Sequence, residues 1–292
     1  MSVTTADIKY LRELTGAGIL DCKKVLQETD GDVDQAVELL RKKGLAVASK
    51  KASREANEGL VSASISANGK VGTLVEVNCE TDFVARTDDF KNFVDAIVRQ
   101  VSEQPDLGSV EALLAAPYIG DPGTTVAEQL TETIAKLGEN MVIRRIARFD
   151  SESGSILDSY IHPGARVGVL VEVSGGNGSN DQLYDLAHDI ALQIAAVAPQ
   201  YITEDDIPEA AAEAERNIYR AQIAADNKPD DIKARIVEGK LKKWYGQVTL
   251  VDQEFVKDSD LTVGQLLKQK SLELGGDINV HRFARFELGV TD

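Results

Sequence analysis

The sequence predicts an α+β protein. A small N-terminal three-helix bundle precedes two copies of one α+β unit. Each copy has a small antiparallel sheet, and the second carries an inserted antiparallel helical hairpin. Three observations predict this. The first 45 residues show helical apolar spacing interrupted at TGAG and at DGD. Three segments then recur in one order: VGTLVEV at 71–77 as VGVLVEV at 167–173, TVAEQL at 125–130 as TVGQLL at 262–267, and IRRIARF at 143–149 as VHRFARF at 280–286. Three matches in the same order mark a duplication. Finally, the offset between the copies rises from 93 at the first helix to 137 at TV, so the second copy holds 44 more residues, within 200–258.

In the bundle, residues 1–45, Thr4 or Thr5 can cap the first helix, with Ile8, Leu11 and Leu14 as its apolar stripe. The glycines of TGAG end it, because glycine reaches backbone conformations that bulkier residues resist. A second helix covers 19–28, with Leu20, Val25 and Leu26 as core. Asp32 can cap a third, with Val33, Ala36, Val37 and Leu40 inward. So few residues bury little surface, so the module is only marginally stable alone. The stretch KKGLAVASKKASREANEG then reads as a basic, partly helical linker, assigned to 46–57.

The first α+β unit, 58–150, opens with a strand at 59–66 and a hairpin turn at Asn68-Gly69. Its helix at 88–101 turns Phe90, Phe93, Val94 and Ile97 inward. The second unit, 151–292, repeats the pattern with ILDSYI, a turn at His162-Pro163-Gly164, and a helix at 181–196 carrying Leu183, Leu186, Ala187 and Ile190. Its insertion, about 203–246, consists of PEAAAEAERNIYRAQIAAD and DDIKARIVEGKLKKWYG, joined at Asn227-Lys228-Pro229. Ile218, Ile223, Ile232, Ile236 and Leu241 would form its seam.

With 32 Lys/Arg against 48 Asp/Glu, the net charge is −16. That field does not hold nucleic acid. The first 57 residues are nearly balanced, ten Lys/Arg against nine Asp/Glu, which sets them apart as a module. Cys22 and Cys79 lack CxxC spacing and read as reduced thiols. The N-terminus has neither an apolar signal core nor transit character, and no apolar run approaches the ~20 residues of a membrane span. A soluble cytoplasmic protein is expected, away from membranes. His162, His188 and His281 show no HxH or HExxH spacing, there is no GxxxxGK[ST], and no motif places a base beside Cys79. Neither enzymatic catalysis nor a resident metal or cofactor is expected.

One loop stands out. The offset between copies is 96 at the VEV strand but 93 at the next helix, so the first copy has three extra residues in NCETDFVART, 78–87. Its counterpart is the flexible SGGNGSND. A phenylalanine is ordinarily core. The second copy builds the same unit from Gly, Asn and Ser there, so the fold does not require Phe83. A buried Phe83 and a projecting, functional Phe83 both stand on these grounds.

TGAGILDCKKVL, NCETDFVA, LGEN followed by IRR, YIHPGARVGVLVEV, VGQLLK and RFARFELG together resemble the bacterial elongation factor Ts family, over nearly the whole chain. The resemblance implies a guanine-nucleotide exchange factor that binds GDP-bound elongation factor Tu and speeds GDP release so that GTP can bind. It implies that Thr81, Asp82, Phe83 and Val84 enter the partner's G domain and dislodge elements that hold Mg²⁺. It implies docking by Arg12, Ile19, Leu20 and Lys23 on a bundle of the ubiquitin-associated (UBA-like) kind, with isoleucine and leucine where some members carry methionines. Leu137 and Gly138 match a contact near the partner's phosphate loop, and His162 a contact on a hairpin tip. The inserted hairpin matches a protruding coiled coil of varying role. Some members continue past RFARFELG with a helical module that touches the partner; no such contact is expected here. Complexes of one or two copies of each protein both remain open. The competing reading is a non-enzymatic scaffold or oligomerisation protein acting through the helical hairpin.

Overall fold

The computed structural model describes residues 3–151, 154–176 and 180–290. Three helices come first: α1 (Thr5–Thr15), α2 (Ile19–Glu28) and α3 (Val33–Lys51). Thr4 caps α1 in a reciprocal box with Asp7, Gly16 at φ 67° closes it, and Asp32 caps α3. Leu11, Cys22, Val25, Leu26 and Ala36 form the small core. Two expected core residues lie outside it: Leu14 and Leu20 are 58% and 80% exposed. The buried stripe of α2 is Cys22, Val25 and Leu26 at i, i+3 and i+4, and Leu20 falls on the opposite side of that short helix. The segment expected as a partly helical linker is helical over its first part. Helix α3 continues unbroken to Lys51, and buried Gly44 lets it lie close to Ala135 of a later helix.

The first repeat comprises β1 (Glu58–Ile65), β2 (Val71–Cys79), the single turn α4 (Asp82–Ala85), α5 (Asp88–Glu103), α6 (Val110–Ala115), the small hairpin β3 (Pro117–Tyr118) and β4 (Asp121–Thr125), α7 (Val126–Leu137) and β5 (Met141–Asp150). The second comprises β6 (Ser155–Ile161), β7 (Val167–Gly175), α8 (Asn180–Val197), α9 (Glu209–Ile223), α10 (Asp230–Val248), the small hairpin β8 (Glu254–Phe255) and β9 (Asp258–Thr262), α11 (Val263–Leu274) and β10 (Ile278–Glu287). The sheets have orders β1-β2-β5 and β10-β7-β6, all antiparallel. Capping boxes at Thr125 and Thr262 start α7 and α11, and Gly138 and Gly275 end them in left-handed conformation. The two small hairpins were not foreseen from the sequence.

The inserted hairpin is antiparallel: Arg216 in the middle of α9 meets Glu238 in the middle of α10, and Lys233 near the start of α10 donates to the Ala224 carbonyl at the end of α9. Its seam differs in part from expectation. Leu241 is buried, but so is Val237, whereas Ile218 is half exposed. Two helices alone bury one narrow stripe each, and α10 presents the i, i+4 pair Val237 and Leu241. No described helix is long and apolar enough to cross a membrane.

Helices cover one face of each sheet, and the other faces meet. The shared core is made of repeat-equivalent residues: Val61 with Leu157, Leu74 with Leu170, and Phe149 with Phe286. The approach is close because Gly72 and Gly168 are equivalent. A Cβ at Gly72 would stand 2.6 Å from Leu170 Cδ1, and one at Gly168 2.5 Å from Val61 Cγ1. Gly168→Ala is therefore expected to cost about 1–3 kcal/mol through overpacking. A denaturant melt checks this, and an unchanged midpoint would contradict the packing argument.

A polar clasp crosses the same interface twice. In each repeat the final strand bulges at the same place, Arg144 in β5 and His281 in β10. Arg144 reaches Asn78, and His281 reaches the equivalent Ser174. The next residue, Arg145 or Arg282, bonds a buried glutamate of its own sheet, Glu76 or Glu172, each at 2.7 Å. It also stacks on the other repeat's phenylalanine: Arg145 lies 4.6 Å from the Phe286 ring centre and Arg282 4.5 Å from that of Phe149. Each guanidinium further donates to a carbonyl across the interface, at Glu287 and Asp150.

Candidate partner-binding site

The β2–α5 loop is a capped helical turn. Thr81 is its N-cap and accepts from the Val84 amide, while Thr87 caps α5 directly after it. Ala85 is buried, and Val84 packs partly on the first repeat's core. These two residues take the inner face of a one-turn helix. Phe83 points the other way and is 78% exposed. Asp82 pairs with Arg86 at 2.7 Å, on the surface. The ring is thus presented to solvent on a turn that is fixed at both ends.

The turn is anchored from a distant segment. Beyond the last β2–β5 ladder pair, Cys79 with Met141, carboxylates continue the pairing. Glu139 accepts the Thr81 amide at 2.9 Å and the Thr81 hydroxyl at 2.6 Å. Glu80 accepts the Asn140 amide at 2.6 Å. Cys79 donates its thiol to the Thr81 carbonyl, and burial, aided by the Glu139 charge, pushes that thiol up to about 12. It is a neutral hydrogen-bond donor and no nucleophile.

Glu80 is held below its ordinary range, first by the Asn140 amide and then by Arg54. A lowered folded value contributes stability above the unfolded pKa, and that stability is lost as pH falls through the folded value. Glu80→Gln should therefore flatten the fall in melting temperature between neutral pH and pH below about 4. Thermal melts across that window check it, and an unaltered profile counts against the assignment.

Other expected site residues converge on this end of the molecule. Lys136, next to Leu137, bonds Asp89 in the first turn of α5 at 2.7 Å, and its chain lies where a methyl at Gly16 would be 3.2 Å away. The α1–α2 turn thus sits against the end of α7. Leu137 is half-buried, Gly138 is exposed at φ 78°, and Lys51 donates to its carbonyl. Ile19 and Leu20 are exposed, as are Arg12 and Lys23. His162 lies on the exposed β6–β7 tip, whose Ala165 carbonyl accepts the Val61 amide and whose Arg166 bonds Glu58. Glu58 pairs with Cys79 across β1 and β2, so the tip and the α4 turn are neighbours. Tyr160 hydrogen-bonds His162 Nδ1 at 3.0 Å.

Glu80, Glu139, Lys136 and Tyr160 were not singled out from the sequence. A signal existed for the glutamates. In the second repeat the equivalent positions are Gly176 and Gly276. Among the described residues, no group of three or more His, Cys, Asp or Glu could hold a metal ion.

Comparison with known proteins gives the family of the chain. The family model "Elongation factor TS" matches residues 80–290. Elongation factor Ts of Clostridium novyi is 48% identical over 98% of this chain and 93% of its own length. That of Trichlorobacter lovleyi is 46% identical over 99% and 93%, and that of Aquifex aeolicus 43% over 99% of both. A shared identity of this extent, spanning the bundle, both repeats and the insertion, means that the chain belongs to the elongation factor Ts family of translation elongation factors.

Proposed function

We propose that the protein is a non-enzymatic guanine-nucleotide exchange factor acting in the cytoplasm on GDP-bound elongation factor Tu. The observation that carries the reading is the exposed Phe83 beside Asp82 on a rigidly capped turn. Such a ring can wedge between partner side chains near the metal that bridges the nucleotide phosphates. Mg²⁺ requires near-ideal octahedral oxygen geometry, so a small displacement of its surroundings weakens it strongly. With the metal weakened, the diphosphate charge is less neutralised and GDP leaves faster. Leu137 and Gly138 would press near the phosphate loop, His162 would add a polar contact, and Arg12, Ile19, Leu20 and Lys23 would dock the bundle. Coupling is reciprocal, so GDP weakens the factor as much as the factor weakens GDP, and turnover passes through a transient ternary complex.

The test is release of a fluorescent GDP analogue from elongation factor Tu, with and without this protein, at abundant and at depleted Mg²⁺. Acceleration that is largest when Mg²⁺ is abundant is expected. No acceleration by the folded protein would remove the reading. The helical hairpin separates this reading from a scaffold. Its roots are stitched by Leu250 and Gln200 amides to the Tyr201 and Val248 carbonyls. A short linker replacing 203–246 is expected to leave most exchange activity, measured in the same assay; a scaffold acting through the hairpin would lose its function.

A further inference from the structure

The two repeats differ at one further pair of positions, and the difference coincides with the exposed turn. In the second repeat, Gly176 and Gly276 bring two backbones together: a Cβ at Gly276 would lie 3.2 Å from the Gly176 Cα. In the first repeat these places are Glu80 and Glu139, and their carboxylates fill the gap between the same two segments. The exchange of bonds is reciprocal. Each segment supplies a carboxylate to a backbone amide of the other. Glu139 spans two donors of the one residue that caps the Phe83 turn.

We propose that Glu139 is a positioning residue for the wedge. It fixes Thr81 through both its amide and its hydroxyl, and it thereby joins the Phe83 turn to the Leu137–Gly138 helix end as one rigid unit. The proposal rests on the exchange reading above. Its physical content is preorganisation. A turn already fixed in its bound geometry loses less entropy on insertion, so more of the contact energy is left to displace the metal's surroundings. Reach and acceptor count both matter. A glutamate spans the gap and offers one oxygen to each donor of Thr81, whereas a glutamine of the same length offers one oxygen, for the amide, and its NH2 can meet the hydroxyl only as a donor.

The test uses the full chain as wild type, Glu139→Ala, Glu139→Asp, Glu139→Gln, Phe83→Ala and the double variant Glu139→Ala/Phe83→Ala. Two readouts are taken: GDP-analogue release at saturating factor, and hydrogen exchange of the Thr81 amide in the free protein. Glu139→Ala and Glu139→Asp should release GDP at least fivefold more slowly, which is about 1 kcal/mol at 1.4 kcal/mol per tenfold, and should exchange the Thr81 amide faster. Glu139→Gln, which keeps the reach but only one acceptor, should fall between wild type and Glu139→Ala in both readouts. In the Phe83→Ala background, Glu139→Ala should add little, since the ring it positions is gone. Losses that multiply in the double variant, or a full rate for both Glu139→Ala and Glu139→Asp, would overturn the proposal. A wild type that accelerates nothing refutes the exchange reading instead, and the amide readout then decides the latch alone: unchanged protection in Glu139→Ala overturns it.

Discussion

Phe83→Ala should slow stimulated GDP release about thirtyfold or more at abundant Mg²⁺, with a melting temperature unchanged within a few degrees. The size follows from truncating an aromatic hot spot, on the order of 2 kcal/mol or more. The separation from stability follows from exposure: the ring is 78% exposed, so its removal opens no cavity. The turn itself keeps its Thr81 cap and the burial of Ala85. The defect should shrink when Mg²⁺ is depleted, because the wedge then has less to displace. Release undiminished by the substitution would move the mechanism to Leu137, Gly138 and His162. A large loss of stability would mean that the ring serves the fold.

Arg145→Ala should destabilise the protein by about 3–5 kcal/mol, the usual result of removing one partner of a buried pair. Glu76 is 1% exposed, and the substitution leaves its charge in the interior with the Asn78 amide as donor. The loss includes the bond to Glu76, the stack on Phe286 and the donation to the Glu287 carbonyl. At roughly 2–4 °C per kcal/mol for chains of this size, the melting temperature should fall by roughly 10 °C. The equivalent Arg282→Ala should cost less, because the Arg282 side chain is 43% exposed where that of Arg145 is 14% exposed. Equal and small effects from both would show that the clasp contributes little beyond the apolar core between the sheets.

Much of the architecture was legible in order and spacing. The duplication, the cap at Thr4, the glycine and Asn-Gly turns and the two hairpin helices each show in residues a few positions apart. The candidate wedge was legible as well, because the two repeats act as an internal comparison and differ there by three residues. The same comparison also contained Glu80 and Glu139 against Gly176 and Gly276, but nothing local says which amide a carboxylate will meet. Leu14, Leu20 and Ile218 show the limit of periodicity. A short helix offers a narrow buried stripe, and an apolar residue off that stripe stays in solvent.

By itself the sequence determined the repeat, the principal helices and strands and the place where one copy departs from the other, since caps, turns and periodic stripes are short-range properties. Only the tertiary structure decided that Phe83 projects, that Val84 and Ala85 hold its turn inward, and that Glu139 ties it to the end of α7. It alone decided that two sheets meet across Gly72 and Gly168 under paired arginines. Those outcomes depend on which surfaces the fold brings within a few ångströms of one another, and residues far apart along the chain carry no local mark of that meeting.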